Sequence, residues 1–214
     1  MVEIKHKTTG KVLIKAKGSS LNGCVIKGKD LSGADFSNMH LSNVTFTSSN
    51  LTEASFRDAT LVECKITNSV AKRADFTGAK LEKADFSDTI FDVSKFIRCQ
   101  GNGALFRHSK INGGDLAGSD FSNADFFFAE LRADFKGANL YEANLFGADL
   151  TQADFTQCDL RKSNMTDANI QRANFAYSKM QDCIGTNGRP WGFSAKSSKV
   201  EKKPWWKIWN NAAL

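Results

Sequence analysis

Carboxylates, thiols and imidazoles are the side chains from which acid–base, nucleophilic and metal chemistry is usually built, and this sequence contains all three. Asp and Glu together number 23, cysteines five and histidines three. By residue type alone, the recurring aspartates offer carboxylate pairs for general acid–base work. Cys24, Cys64, Cys99, Cys158 and Cys183 offer redox or metal chemistry. His6, His40 and His108 are scattered, and no two have the spacing of metal ligands. There is no phosphate-binding loop, nucleophile elbow or zinc signature.

The elements that must position these residues assign them another role. Large apolar side chains recur every five residues: Leu21, Ile26, Leu31, Phe36, Leu41 and Phe46 open a series that runs to Leu131, with Ala71 and Gly101 as weak members. Phe135 follows Leu131 after four residues, and the spacing of five then carries on through Leu140 to Met180. Two residues before most centres stands a small side chain, such as Ala34, Ala74 or Ala148. Asp or Asn often fills the place between, as in Ala34-Asp35-Phe36 and Ala138-Asn139-Leu140.

A period of five fits neither a helix at 3.6 nor a strand at 2. It suits a chain that turns a corner every five residues, with the centre and the small residue inward and three positions in water. All five cysteines fall in the small inward slot, where a free thiol behaves as a small buried hydrophobe. The aspartates precede centres, where a short polar side chain can bond to the corner backbone. No catalytic, metal-ligating or cofactor-binding residue is therefore expected, and a solenoid filled with Leu and Phe leaves no room for a substrate pocket.

A period of twenty lies inside the period of five. One set of every fourth centre reads Phe36, Phe56, Phe76, Phe96, Leu116, Phe135, Phe155 and Phe175, which predicts a column of stacked rings. The slip at Phe135 keeps this order, so it is read as a corner shortened by one residue.

The pattern A-(D/N)-(L/F)-x-x resembles the pentapeptide-repeat family. The resemblance implies an all-β fold, a right-handed quadrilateral parallel β-helix in which four pentapeptides make one coil. About eight coils at ~4.8 Å each give a rod roughly 40 Å long. Residues 21–184 are read as this β-helix and residues 1–20 as a β-hairpin cap, since Val2 and Ile4, then Val12, Ile14 and Ala16, alternate around Thr8-Thr9-Gly10. Residues 185–214 are read as a turn-rich linker followed by a Trp-rich tail. Pro204 can open a short helix there, with Trp205, Ile208 and Trp209 on one face and Trp206 beside them. No membrane span or targeting segment is read, which makes the cytoplasm of a bacterium the default location.

Charge is uneven. Residues 1–20 carry +4 and residues 185–214 carry +5, while the repeats between carry −3 and residues 115–184 carry −5. Asp115, Asp134 and Asp154 line up outside the Phe column, with Asp120 and Asp159 on the adjoining face. Phe127 and Phe146 follow centres and point outward one coil apart, with Phe128 beside them, in a column that elsewhere holds residues such as Thr47, Ser87 and Arg107. An aromatic patch on a polar column marks a contact surface. It is expected to receive the Trp tail or a protein partner, and the tail is an alternative route to a homodimer.

These features predict a non-enzymatic, rigid protein-interaction module without cofactor or small-molecule substrate. Some members of the resembled family mimic DNA and bind type II topoisomerases such as DNA gyrase, protecting against quinolones or toxins; the acidic columns make this an alternative. Direct nucleic-acid binding is not expected of an acidic rod, and the basic termini leave nucleic-acid or anionic-membrane binding as a further alternative.

Overall fold

The computed structural model describes residues 1–192. Its repeating unit is the four-residue turn. In Leu31–Ala34 the Ala34 N–H donates to the Leu31 carbonyl at 3.0 Å, and the third residue, Gly33, has φ 63. A positive φ at that position makes this a type II turn. The same corner recurs along the chain, with Asn38, Glu53, Asp58 and Gln152 among the residues in the left-handed region. The aspartates stabilise these corners: Asp35 Oδ1 accepts the Ser37 N–H at 3.0 Å and Asp75 Oδ1 accepts the Thr77 N–H at 2.9 Å. Each makes a local turn that competes with any regular helix or strand.

Successive coils are joined by parallel bridges twenty residues apart. Asp35 pairs with Ser55, His40 with Thr60, and Asn50 with Val70, while strands β3 (Val25–Lys27), β4 (Thr45–Thr47) and β5 (Lys65–Thr67) form a parallel sheet in the order β3-β4-β5. Four such pairings per coil give a four-sided rod. The interval falls to nineteen at Asp115↔Asp134 and returns to twenty at Asp134↔Asp154. There the Ala133 N–H donates to Leu131, two residues back, at 2.9 Å. This γ-type turn is the shortened corner that the sequence slip predicted.

The core is the column of centres. Phe36, Phe56, Phe76 and Phe96 stack at 4.8, 4.7 and 4.7 Å, with planes 9° or less from parallel. Leu116 interrupts the stack, and Phe135, Phe155 and Phe175 resume it at 4.9 and 5.1 Å. Such ring pairs add about 0.5–1.5 kcal/mol each beyond the area they bury. Gly101 is a weak centre because the ring of Phe121, one coil on, takes its space: a Cβ there would stand 2.4 Å from that ring.

A chain reversal lies against each end of the rod. Strand β1 (Val2–Lys5) pairs antiparallel with β2 (Val12–Ala16). The Asp35 N–H donates to the Lys5 carbonyl and the Lys7 N–H to Gly33, both at 2.8 Å, so the hairpin covers part of the first coil's edge. At the other end the chain from Gly185, read from the sequence as a linker, doubles back. Ile184 bridges Pro190 antiparallel, the Trp191 N–H donates to Cys183 at 2.7 Å, and the Trp191 ring lies on Phe175 at 5.2 Å. Trp191 therefore ends the Phe column, a role the sequence reading missed. The Trp-rich tail, with Trp205, Trp206 and Trp209 and its expected short helix, lies outside the described residues.

Candidate interaction surface

The chemistry-bearing residues divide into those the fold consumes and those it displays. Cysteines belong to the first group. Cys64, Cys99, Cys158 and Cys183 are buried, Cys24 is partly so, and all are free thiols. The thiols of Cys99 and Cys158 donate to the carbonyls of Phe76 and Phe135 in the coil before, at 2.9 and 2.7 Å. Ser94 and Thr89 hydroxyls make the same bond to Ala71 and Ile66, each at 2.7 Å, so the small slot favours a short donor. Burial pushes the Cys64 and Cys99 thiols far up and the Cys158 thiol up to about 12, which keeps them protonated and poorly nucleophilic. Among the described residues no cluster of His, Cys, Asp and Glu is arranged to hold a metal ion.

The aspartate columns run as the period of twenty requires. Asp115, Asp134 and Asp154 are bridged in series, and Asp120 and Asp159 flank Asn139 on the adjoining face. Counting along the sequence puts Lys95 in the first column but leaves out Lys136 and Arg161. Lys136 Nζ stands 3.5 Å from Asp134 and 3.2 Å from Asp154, and Lys95 continues the same column above Asp115. Arg161 grips Asp159 at 2.6 Å, with Lys179 at 3.9 Å. The bond to Arg161 holds the Asp159 carboxyl below its usual range, and the bonds to Thr156 do the same for Asp154. These carboxylates serve corners and ion pairs at once.

The displayed group is aromatic. Phe127 and Phe146 stack at 5.6 Å with planes 16° apart, as their column position predicted. Phe128 meets them edge-on at 4.6 and 5.8 Å. His108 is the member that the sequence reading left out: it lies parallel to Phe128 at 6.2 Å and edge-on to Phe127 at 5.7 Å. The signal was present, because His108 stands one coil before Phe128 in the column next to that of Phe127 and Phe146. Below the rings, Asp125 accepts from Arg107 Nε at 2.6 Å, from Asn144 Nδ2 at 2.9 Å and from the Phe127 N–H at 3.1 Å, which fixes the patch to the rod.

Phe128 is 49 % exposed and sits at φ 51, in the left-handed region. That conformation costs a bulky L residue roughly 1–2 kcal/mol. Its ring covers Gly147, where a Cβ would come within 2.7 Å of it. The glycine one coil on thus makes room for an exposed, strained aromatic.

The family model for pentapeptide repeats matches eight copies here, in stretches that run from residue 30 to residue 184. The chain belongs to the pentapeptide-repeat family. Among solved structures, this pentapeptide-repeat protein is similar to QnrB1, described as a plasmid-mediated fluoroquinolone resistance protein, with 18% identity over 80% of this chain and 90% of that one and a TM-score of 0.52. It is also similar to HetL from the cyanobacterium Nostoc sp. strain PCC 7120, described as involved in heterocyst differentiation regulation. That match has 24% identity over 80% and 91% of the two chains and a TM-score of 0.33. Identity at this level speaks for the fold alone. No curated protein matches the chain.

Proposed function

We propose that this pentapeptide-repeat protein is a non-enzymatic, rigid interaction module that presents the ring cluster of His108, Phe127, Phe128 and Phe146 to a protein partner. The observation that carries the reading is Phe128. An exposed ring held in an unfavourable backbone conformation, beside a glycine that accommodates it, is poor for stability and good for contact, and strain of this kind concentrates at functional positions. Contacts of this type owe most of their affinity to a few aromatic anchors. The five free thiols fit a reducing compartment such as the cytoplasm. The test is affinity capture with the wild type and with a Phe128→Ser, Phe146→Ser double variant. A specific partner lost in the variant, at unchanged thermal stability, supports the reading; equal capture contradicts it.

The distribution of charge supports a second reading more weakly: a DNA-mimicking modulator of DNA gyrase. The columns Asp115–Asp134–Asp154 and Asp120–Asp159 favour it, as does the likeness to QnrB1, a fluoroquinolone resistance protein. The cations Lys95, Lys136 and Arg161 within those columns weigh against it. Gyrase supercoiling measured with and without a quinolone decides: protection by micromolar protein supports mimicry, and no effect removes it. Trp205, Trp206 and Trp209 are the other proposed contact residues, either on the ring cluster or between two copies. Truncation after Gly192, which spares the Trp191 cap, tests this: unchanged dye binding and unchanged oligomeric state exclude both roles.

A further inference from the structure

The first coil carries a second surface, at the opposite end of the repeats from the Trp191 cap. Strand β3 (Val25–Lys27) is the edge of its sheet, and β4 pairs with it on one side. The N-terminal hairpin covers the neighbouring face at Gly33–Asp35 and leaves this one open. Beside the open edge is a groove lined by Ile14, Ala16, Leu21, Cys24, Val25 and Ile26. Val25 is 72% exposed, the most exposed large aliphatic side chain of the repeats. Natural sheets protect such edges, because an unpaired strand beside apolar side chains is a template for another strand.

The rim defines the chemistry of what fits. Lys27 and Lys29 border the groove, and neither takes part in an ion pair among the described residues. Some cations elsewhere on this rod are neutralised, since Lys15 and Lys5 share Glu3, Arg57 holds Asp75, and Lys110 holds Glu130 at 2.7 Å, so it is the pairing of two free lysines with an apolar groove that marks this rim. Asp30, next to Lys29 in the chain, is engaged with the Ser32 N–H and the Asn50 amide. The surrounding hairpin segment, residues 1–20, adds a net +4. A second copy brought edge to edge would set these lysines against their own kind, which disfavours a symmetric dimer.

We propose that β3 is a strand-addition site for an extended segment of a partner protein in which apolar and acidic residues alternate. Its main chain would extend the β3-β4-β5 sheet, its apolar side chains would enter the groove, and its carboxylates would meet Lys27 and Lys29. The surface is independent of the aromatic cluster, so either can fail alone.

The test is fluorescence anisotropy of the full chain with labelled acetyl-Gly-Glu-Val-Glu-Val-Glu-Val-Gly-amide and its Lys-for-Glu counterpart. The expected result is saturable binding of the acidic peptide, at least tenfold weaker for the lysine peptide and for a Lys27→Glu, Lys29→Glu variant. Binding is lost in Val25→Asp and unchanged in Phe128→Ser. Hydrogen exchange should show the Val25 amide gaining protection when the acidic peptide is bound. Equal binding of both peptides, no added protection at Val25, or no saturable binding overturns the proposal. So does self-association abolished by Val25→Asp, which makes a second copy the occupant, or binding to phosphatidylserine vesicles without binding to the peptide, which makes a lipid surface the occupant.

Discussion

The imidazole of His108 lies 10° from parallel to the ring of Phe128, centroids 6.2 Å apart, and both residues occupy the left-handed corner position of successive coils, at φ 56 and φ 51. Corner positions elsewhere hold mostly Gly, Asn, Asp, Glu, Gln, Lys and Arg, which reach that conformation more easily or extend into water, with Val93 and Tyr177 as exceptions. Replacing Phe128 with Asn removes both the strain and the ring contacts. The two effects are of similar size, so chemical denaturation should find stability within about 1 kcal/mol of wild type. Partner capture should fall with no corresponding loss of fold. A drop of several kcal/mol would show that Phe128 is structural.

Val93 provides the counterpart without a function attached. It is β-branched, 56 % exposed and at φ 61, a combination that L residues avoid. Val93→Asn should raise stability by roughly 1 kcal/mol, read as a higher denaturation midpoint at unchanged slope.

Trp191 should act locally. In a linear solenoid each coil is held mainly by its neighbours. Trp191→Ala uncovers Phe175, so the amides of Lys179 and Ile184, which bond to Cys158 and Ser163, should exchange faster. The Phe76 amide, far along the stack, should keep its wild-type rate. Unchanged exchange at Lys179 and Ile184 would refute the cap.

Thiol chemistry separates the cysteines by burial. At pH 8 a thiol reagent should modify Cys24 first, and the four buried thiols only on unfolding. The raised thiols add stability that is present below the ordinary thiol value of 9.0 and is lost as pH rises above it. Asp154 and Asp159 act in the opposite sense: their lowered carboxyls stabilise above the unfolded value of roughly 4 and lose that contribution as pH falls through the folded values. Stability against pH should therefore show a plateau between about 5 and 8.5 with losses on both sides.

Much of this was legible in the chain because the repeat forces one environment per position. The period of five gave the inward Phe and Leu, and the step from five to twenty gave the ring column. The slip at Phe135 appeared as a one-residue-shorter corner, and the corner role of the aspartates followed from their place before each centre. What escaped lies where that rule stops or where long side chains reach sideways. Trp191 stands sixteen residues after Phe175, out of phase, and reaches its place by a reversal whose Gly185–Pro190 turn reads equally well as a linker. Lys136 spans Asp134 and Asp154 through side-chain reach, which column counting does not register. His108 was treated as one of three scattered histidines, although the same twenty-residue step that joins coils places it on Phe128.

The most direct measurement places a benzoylphenylalanine photo-crosslinker at position 128 of the protein in its native host, with position 177 as control, since Tyr177 is 87 % exposed and outside the ring cluster. Illumination should give one dominant protein adduct from position 128 that is absent from position 177 and suppressed by Phe146→Ser. The same adducts from both positions, or none from 128, would contradict the assignment of the aromatic cluster as the contact surface.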